Sequence, residues 1–112
     1  MFEAQLLMAK GSPYSIYGPW FPRQGDNFTM TADVVEIDVV ELTVNAFTKN
    51  SEDSGDGVSI GSALTLSTSG QTKITISGAA KELVRYKYTT DNAAAGKWIL
   101  FRMLPPVWFD TV

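Results

Sequence analysis

The chain has 112 residues, 45% of them hydrophobic and 19% charged, with a net charge of −3. That size fits one domain with its own core, and the apolar share is too high for a disordered chain. Neither cysteine nor histidine occurs. Disulfides, the usual zinc, copper and haem ligands, a Ser-His-Asp triad, a cysteine nucleophile and an imidazole base are therefore all excluded.

The first residues, Met1-Phe2-Glu3-Ala4-Gln5-Leu6-Leu7-Met8, lack a basic segment and a long apolar run. They predict neither a signal peptide nor a membrane span, and so synthesis in a cytoplasm. A strand is expected near 2–9. Residues 1–33 are otherwise punctuated by Gly11-Ser12-Pro13, Gly18-Pro19 and Phe21-Pro22, which no long helix can pass. Tyr14, Tyr17, Trp20, Phe21 and Phe28 fall between these breaks. They read as an extended aromatic, proline-rich N-terminal arm that leads into a strand starting near Phe28.

Residues 34–48 carry the plainest strand signal. Val35, Ile37 and Val39 alternate with Glu36 and Asp38; the phase then flips, and Val40, Leu42, Val44 and Ala46 alternate with Glu41, Thr43 and Asn45. One extra residue at Val39-Val40 predicts a β-bulge or a bend there. Residues 49–57 form a loop. In 58–68, Val58, Ile60, Leu64 and Leu66 share one side; Ser69-Gly70-Gln71 reads as a hairpin turn, with a return strand over 72–77. A second hairpin is expected from 82–89 and 97–104. Pro105 and Pro106 then force an extended tail, 105–112. The whole predicts one all-β domain, a single antiparallel β-sandwich or jelly-roll-like barrel, with its β core over 34–104.

Charge is segregated. Between Asp26 and Asp56 lie eight acids (Asp26, Asp33, Glu36, Asp38, Glu41, Glu52, Asp53, Asp56) and one base, Lys49; between Lys73 and Arg102 lie six bases (Lys73, Lys81, Arg85, Lys87, Lys97, Arg102) and two acids, Glu82 and Asp91. These stretches are either neighbouring strands that neutralise each other or edges that meet between subunits of a homo-oligomer. The acidic loop Glu52–Gly57 lacks the alternate-position spacing of a calcium loop and reads as a solvated turn. Asp38, Glu41 and Asp110 could supply a carboxylate pair for glycoside hydrolysis, but acids alternating on a strand read as its wet face. In Val84–Thr89, Arg85 and Lys87 point one way and Tyr86 and Tyr88 the other, which speaks against a nucleic-acid-binding face. No enzyme, cofactor, metal, nucleic acid or membrane partner is expected. The residues expected to touch a partner are Tyr14, Tyr17, Trp20, Phe21, Arg85, Trp108 and Phe109.

The run Glu82–Thr89, a Gly-containing loop, and then Lys97–Asp110 with its Leu104-Pro105-Pro106-Val107-Trp108-Phe109 end resembles small head-associated proteins of tailed bacteriophages. The whole chain, short, β-rich and without Cys or His, resembles the capsid cement (decoration) class. The resemblance implies a virion structural protein on the outer capsid surface, often a trimer, that staples major capsid proteins together. It implies no individual binding residue, and the stretch 13–28 has no counterpart in it. Two alternatives stand beside it: another phage head or tail component, and a carbohydrate-binding β-sandwich module. Three or more exposed coplanar rings in a groove would favour the sugar binder.

Overall fold

A computed structural model describes residues 4–78 and 80–110. These residues form ten strands and no helix, so no helix is long and apolar enough to cross a membrane. The strands are β1 (Gln5–Met8), β2 (Ser15–Tyr17), β3 (Phe21–Pro22), β4 (Asn27–Asp38), β5 (Leu42–Lys49), β6 (Val58–Leu66), β7 (Gly70–Ser77), β8 (Leu83–Thr90), β9 (Trp98–Met103) and β10 (Val107–Phe109). They make two antiparallel sheets. Residues 2–3 of the expected first strand and 111–112 of the expected tail lie outside the described residues.

In the first sheet β4 is the spine. One of its edges pairs with β7; the other pairs with β10 over Asn27–Thr29 and with β9 over Ala32–Asp38. β9 and β10 are thus one strand interrupted by Pro105 and Pro106, which have no N–H to give to the ladder. The Leu104 N–H still donates to the Thr31 carbonyl (2.9 Å), so the register holds up to the break. β1 covers the far side of β9.

The second sheet repeats this device. β8 pairs with β5 on one side, and on the other with β2 and then β3, a strand interrupted at Gly18-Pro19. The Gly18 N–H donates to the Tyr86 carbonyl (2.8 Å) across the break. The stretch expected to be an extended arm is therefore laid along a sheet edge, because its short runs between prolines are long enough to make two or three ladder bonds each. Within the expected extended tail, 107–109 are β10, laid on the start of β4.

Alternation fixes which side chains enter the core. Phe28, Met30, Ala32 and Val34 of β4, Leu42, Val44 and Ala46 of β5, Val84, Tyr86 and Tyr88 of β8, and Ile99, Phe101 and Met103 of β9 are buried in one cluster shared by both sheets. Tyr88 and Phe101 meet from opposite sheets with ring centroids 5.5 Å apart. Burial pushes the Tyr88 phenol up to about 12; burial first, then the neighbouring Tyr88, pushes Tyr86 up as well.

The expected strand 34–48 is two strands. The phase flip at Val39-Val40 is the point where the chain leaves the first sheet for the second, and Val39 takes a positive φ of 54° there. With Val34 buried, alternation turns Val35 outward; the bulge between Val34 and Glu36 then shifts the phase so that Ile37 packs on the core, and Val35 (51% exposed) and Val39 (74%) face solvent. Both expected hairpins are corrected too. β6 and β7, and β8 and β9, lie in different sheets. Period-two alternation looks the same whether the next strand pairs beside its predecessor or lies across the core from it. Among the described residues the pair of consecutive strands that does hydrogen-bond is β5–β6, around the 49–57 loop.

Gly61 shows how closely β6 and β7 approach. It has φ +67°, and a Cβ placed on it would lie 2.3 Å from Ile76 Cδ1. It sits in the bulge between the Val44–Leu64 and Ala46–Ile60 pairs, a place only glycine fills without strain.

Candidate partner-binding faces

The outward residues of β2, β5 and β8 build one face of the second sheet. Register puts Tyr17 beside Lys87, Lys87 beside Asn45, and Arg85 beside Phe47. Pro19 turns the chain so that Trp20 lies over Arg85. The Arg85 guanidinium is 3.9 Å from the Tyr17 ring centroid and 4.3 Å from that of Trp20. Lys49 Nζ stands 4.9 Å from Trp20, and Lys87 Nζ is 5.7 Å from Tyr17 and 5.6 Å from Phe47. Cations and rings therefore alternate in a ladder: Lys87, Tyr17, Arg85, Trp20, Lys49. Each rung contributes roughly 0.5–1 kcal/mol near solvent and more where water is excluded.

Arg85 is the centre of the ladder. Its side chain is 11% exposed, and it donates to Asp56 Oδ1 at 2.7 Å. Its Nε is buried without a hydrogen-bond partner. The acidic loop is otherwise tied to the fold: Asp53 Oδ2 accepts from the Asn50 N–H (3.0 Å), and Glu82 accepts from the Ser51 N–H (3.2 Å). Among the described residues no group of three or more acids is placed to hold a metal ion.

The outward residues of β1 and β9 build a second, different face. Leu6 lies opposite Leu100 and Met8 opposite Trp98. Leu6 is 58% and Met8 51% exposed, and with Trp98 they line an open hollow of about 230 Å³. The next strand, β4, sets Glu36 opposite Leu100 and Asp38 opposite Trp98. The hollow is thus apolar with an acidic margin. At the far end of the same sheet, Val107 and Phe109 are exposed as well.

The seven residues expected to touch a partner divide. Tyr17, Trp20 and Arg85 come together in the ladder. Tyr14 stands apart, its hydroxyl donating to the Met8 carbonyl and its ring under Lys10 Nζ at 4.4 Å. Phe21 is a core residue, 6% exposed, with its ring 5.4 Å from Tyr86. Trp108 is drawn inward too, tilted on fully buried Phe28 at 4.8 Å, because its register partner faces the core. Phe109 faces out. Sequence reading missed Phe47, Lys49 and Lys87; the alternation that buries Val44 and Ala46 is the signal that turns Phe47 and Lys49 outward.

Bases and rings were expected on opposite faces of β8. Within β8 they are, but β2, β5 and Trp20 supply other rings to the basic side. The segregated charges meet inside one chain: Arg85 with Asp56, Lys97 with Asp38 (3.8 Å) and Arg102 with Asp33 (3.7 Å). These are the contacts of the neighbouring-strand reading. Comparison with known protein families, curated proteins and solved structures found no match.

Proposed function

We propose that this chain is a virion structural protein of the capsid-decoration kind, a jelly-roll sandwich that binds the outer capsid lattice and stabilises it by gripping major capsid proteins. The observation that carries the reading is the exposure of large side chains at three separated points of one small domain: Leu6 and Met8 beside Trp98; Tyr17 at the end of the ladder; Val107 and Phe109. Exposed apolar groups that cluster beside polar residues, as Leu6 and Met8 do beside Trp98, mark protein contact sites. A domain with separate contact points bridges neighbours, and a ligand that binds only the assembled shell stabilises that shell.

The strand orders support the sandwich. β1-β9-β4-β7 in one sheet and β2/β3-β8-β5-β6 in the other is an order that two Greek keys of a jelly roll would give, which supports that finer reading. A sugar binder is less well supported. Tyr17 and Phe47 stand at 87° rather than coplanar, and the faces of Tyr17 and Trp20 are taken by cations. Sugar rings would need those faces.

The test is co-sedimentation of the purified protein with native particles stripped of it, together with particle survival on heating. The proposal expects saturable binding and shells that withstand higher temperature. Particles that neither bind the protein nor gain stability would overturn it.

A further inference from the structure

Asp56 is the one aspartate in the chain that is followed by glycine, and no asparagine is. Glycine is the successor that leaves an aspartyl side chain most open to attack by the next backbone nitrogen, because no side chain crowds that nitrogen. Here the fold demands it. Gly57 has φ +81°, and a Cβ built on it would lie 2.6 Å from the Thr48 carbonyl oxygen and 3.0 Å from the Trp20 ring. A residue with a side chain does not fit between β5 and Trp20 at that point. The Asp56 side chain beside it is 67% exposed, open to water.

Arg85 opposes the attack. Its Nη2 donates to Asp56 Oδ1 at 2.7 Å and to the Asp56 backbone carbonyl at 3.3 Å. One nitrogen thus draws the carboxyl group and the carbonyl oxygen to the same side. Ring closure needs the opposite arrangement: the Gly57 nitrogen swung toward the carboxyl carbon, and the carbonyl oxygen turned away from it. The guanidinium can impose this because it is itself held, 11% exposed and packed on the Tyr17 and Trp20 rings. Asp53, the other aspartate of the loop, is followed by Ser54, and its carboxylate is engaged by the Asn50 N–H at 3.0 Å.

We infer that Asp56 is a site of spontaneous isomerisation to isoaspartate, and that Arg85 is the residue that restrains it. The Gly57 nitrogen gives up its proton and attacks Asp56 Cγ. The N–Cγ bond forms, a C–O bond of the carboxyl group breaks, and that oxygen leaves as water. Water then reopens the five-membered imide. Cleavage between the nitrogen and Cγ restores aspartate. Cleavage between the nitrogen and the former main-chain carbonyl carbon gives isoaspartate, with one more methylene in the main chain. Water is the only co-reactant, and nothing is oxidised or reduced. The added methylene lies two residues before the Val58 start of β6, and it moves the carboxylate away from Arg85. Modification therefore releases the bridge at the centre of the ladder. The inference stands on the loop and the ladder, and does not depend on what the domain binds.

The test is incubation of the full folded chain in neutral buffer, well below its melting temperature. Isoaspartate at residue 56 is followed by peptide mapping and by methyl transfer from S-adenosylmethionine with an isoaspartate-specific methyltransferase. Arg85→Met is expected to raise the rate about three- to fivefold, which is what an exposed charged pair contributes when converted to a rate. Trp108→Ala weakens the opposite sheet and leaves the bridge in place, so it should isomerise at the wild-type rate. Asp56→Glu should give no product at this position, because its longer side chain would have to close a six-membered ring. Equal rates in wild type and Arg85→Met would overturn the inference. So would an Arg85→Met rate matched by Trp108→Ala, or isoaspartate that forms elsewhere in the chain and not at residue 56.

Discussion

Replacing Arg85 by methionine keeps most of the side-chain volume and removes the charge at the centre of the ladder. The structure sets the magnitude. Two ring contacts, to Tyr17 at 3.9 Å and Trp20 at 4.3 Å, contribute roughly 0.5–1 kcal/mol each. The bond to Asp56 adds less than about 1 kcal/mol, because that carboxylate is 67% exposed. Against this, methionine relieves the burial of an Nε that has no partner, a term of roughly 1 kcal/mol. The net expectation is a loss of up to about 2 kcal/mol in urea denaturation. The loss should be local before it is global, since Tyr17 and Trp20 hold the interrupted edge strand to β8 by these contacts. Hydrogen exchange should therefore quicken at the β2 and β3 amides, with β4 and β5 unchanged. Unchanged stability together with unchanged exchange over residues 15–22 would refute the ladder as the clamp of that edge.

Gly61→Ala is expected to cost at least 2 kcal/mol, from the positive φ and the clash with Ile76 Cδ1; Ile76→Val should recover part of it, and a melting temperature within a degree or so of wild type would refute the close approach. Trp108→Ala is expected to lower the melting temperature of the isolated protein, by roughly 2 kcal/mol in stability because the ring is partly buried on the core, whereas Phe109→Ala should leave melting unchanged and weaken particle binding. The reverse pattern would exchange their roles. The Tyr88 phenol is raised to about 12 in the fold from an ordinary value near 10. Its protonated form is favoured by folding, so the stabilisation is complete below pH 10 and is lost as pH rises from 10 through 12, on the order of 3 kcal/mol from this group. Denaturation midpoints that stay flat from pH 9 to 12 would contradict its burial.

Much of the fold was legible in the sequence because period-two alternation is a local signal. Val44, Ala46, Ile60, Leu64 and Leu66 face the core as the pattern requires. Pairing is not local. Nothing in Ser69-Gly70-Gln71 or in the 91–96 loop says whether the chain folds back beside itself or crosses to the facing sheet, so both hairpins were misread. The same limit hid the ladder. Arg85 and Tyr17 are 68 positions apart in the chain, and only the β2–β8–β5 register brings them together with Phe47, Lys49 and Lys87. Proline content misled in another way. Pro13, Pro19 and Pro22 forbid a helix, but they permit short edge-strand segments that need few N–H donors. Trp20 and Phe21 are neighbours in sequence, and they go to opposite sides of the sheet, one into the ladder and one into the core.

The measurement that bears most directly on the decoration reading is an electron-cryomicroscopy map of the native particle. The account predicts a small two-sheet β domain seated on the outer capsid surface, with Val107 and Phe109 toward the major capsid protein. A map in which the outer shell carries no such domain, or in which the protein lies in the tail or inside the shell, would contradict it.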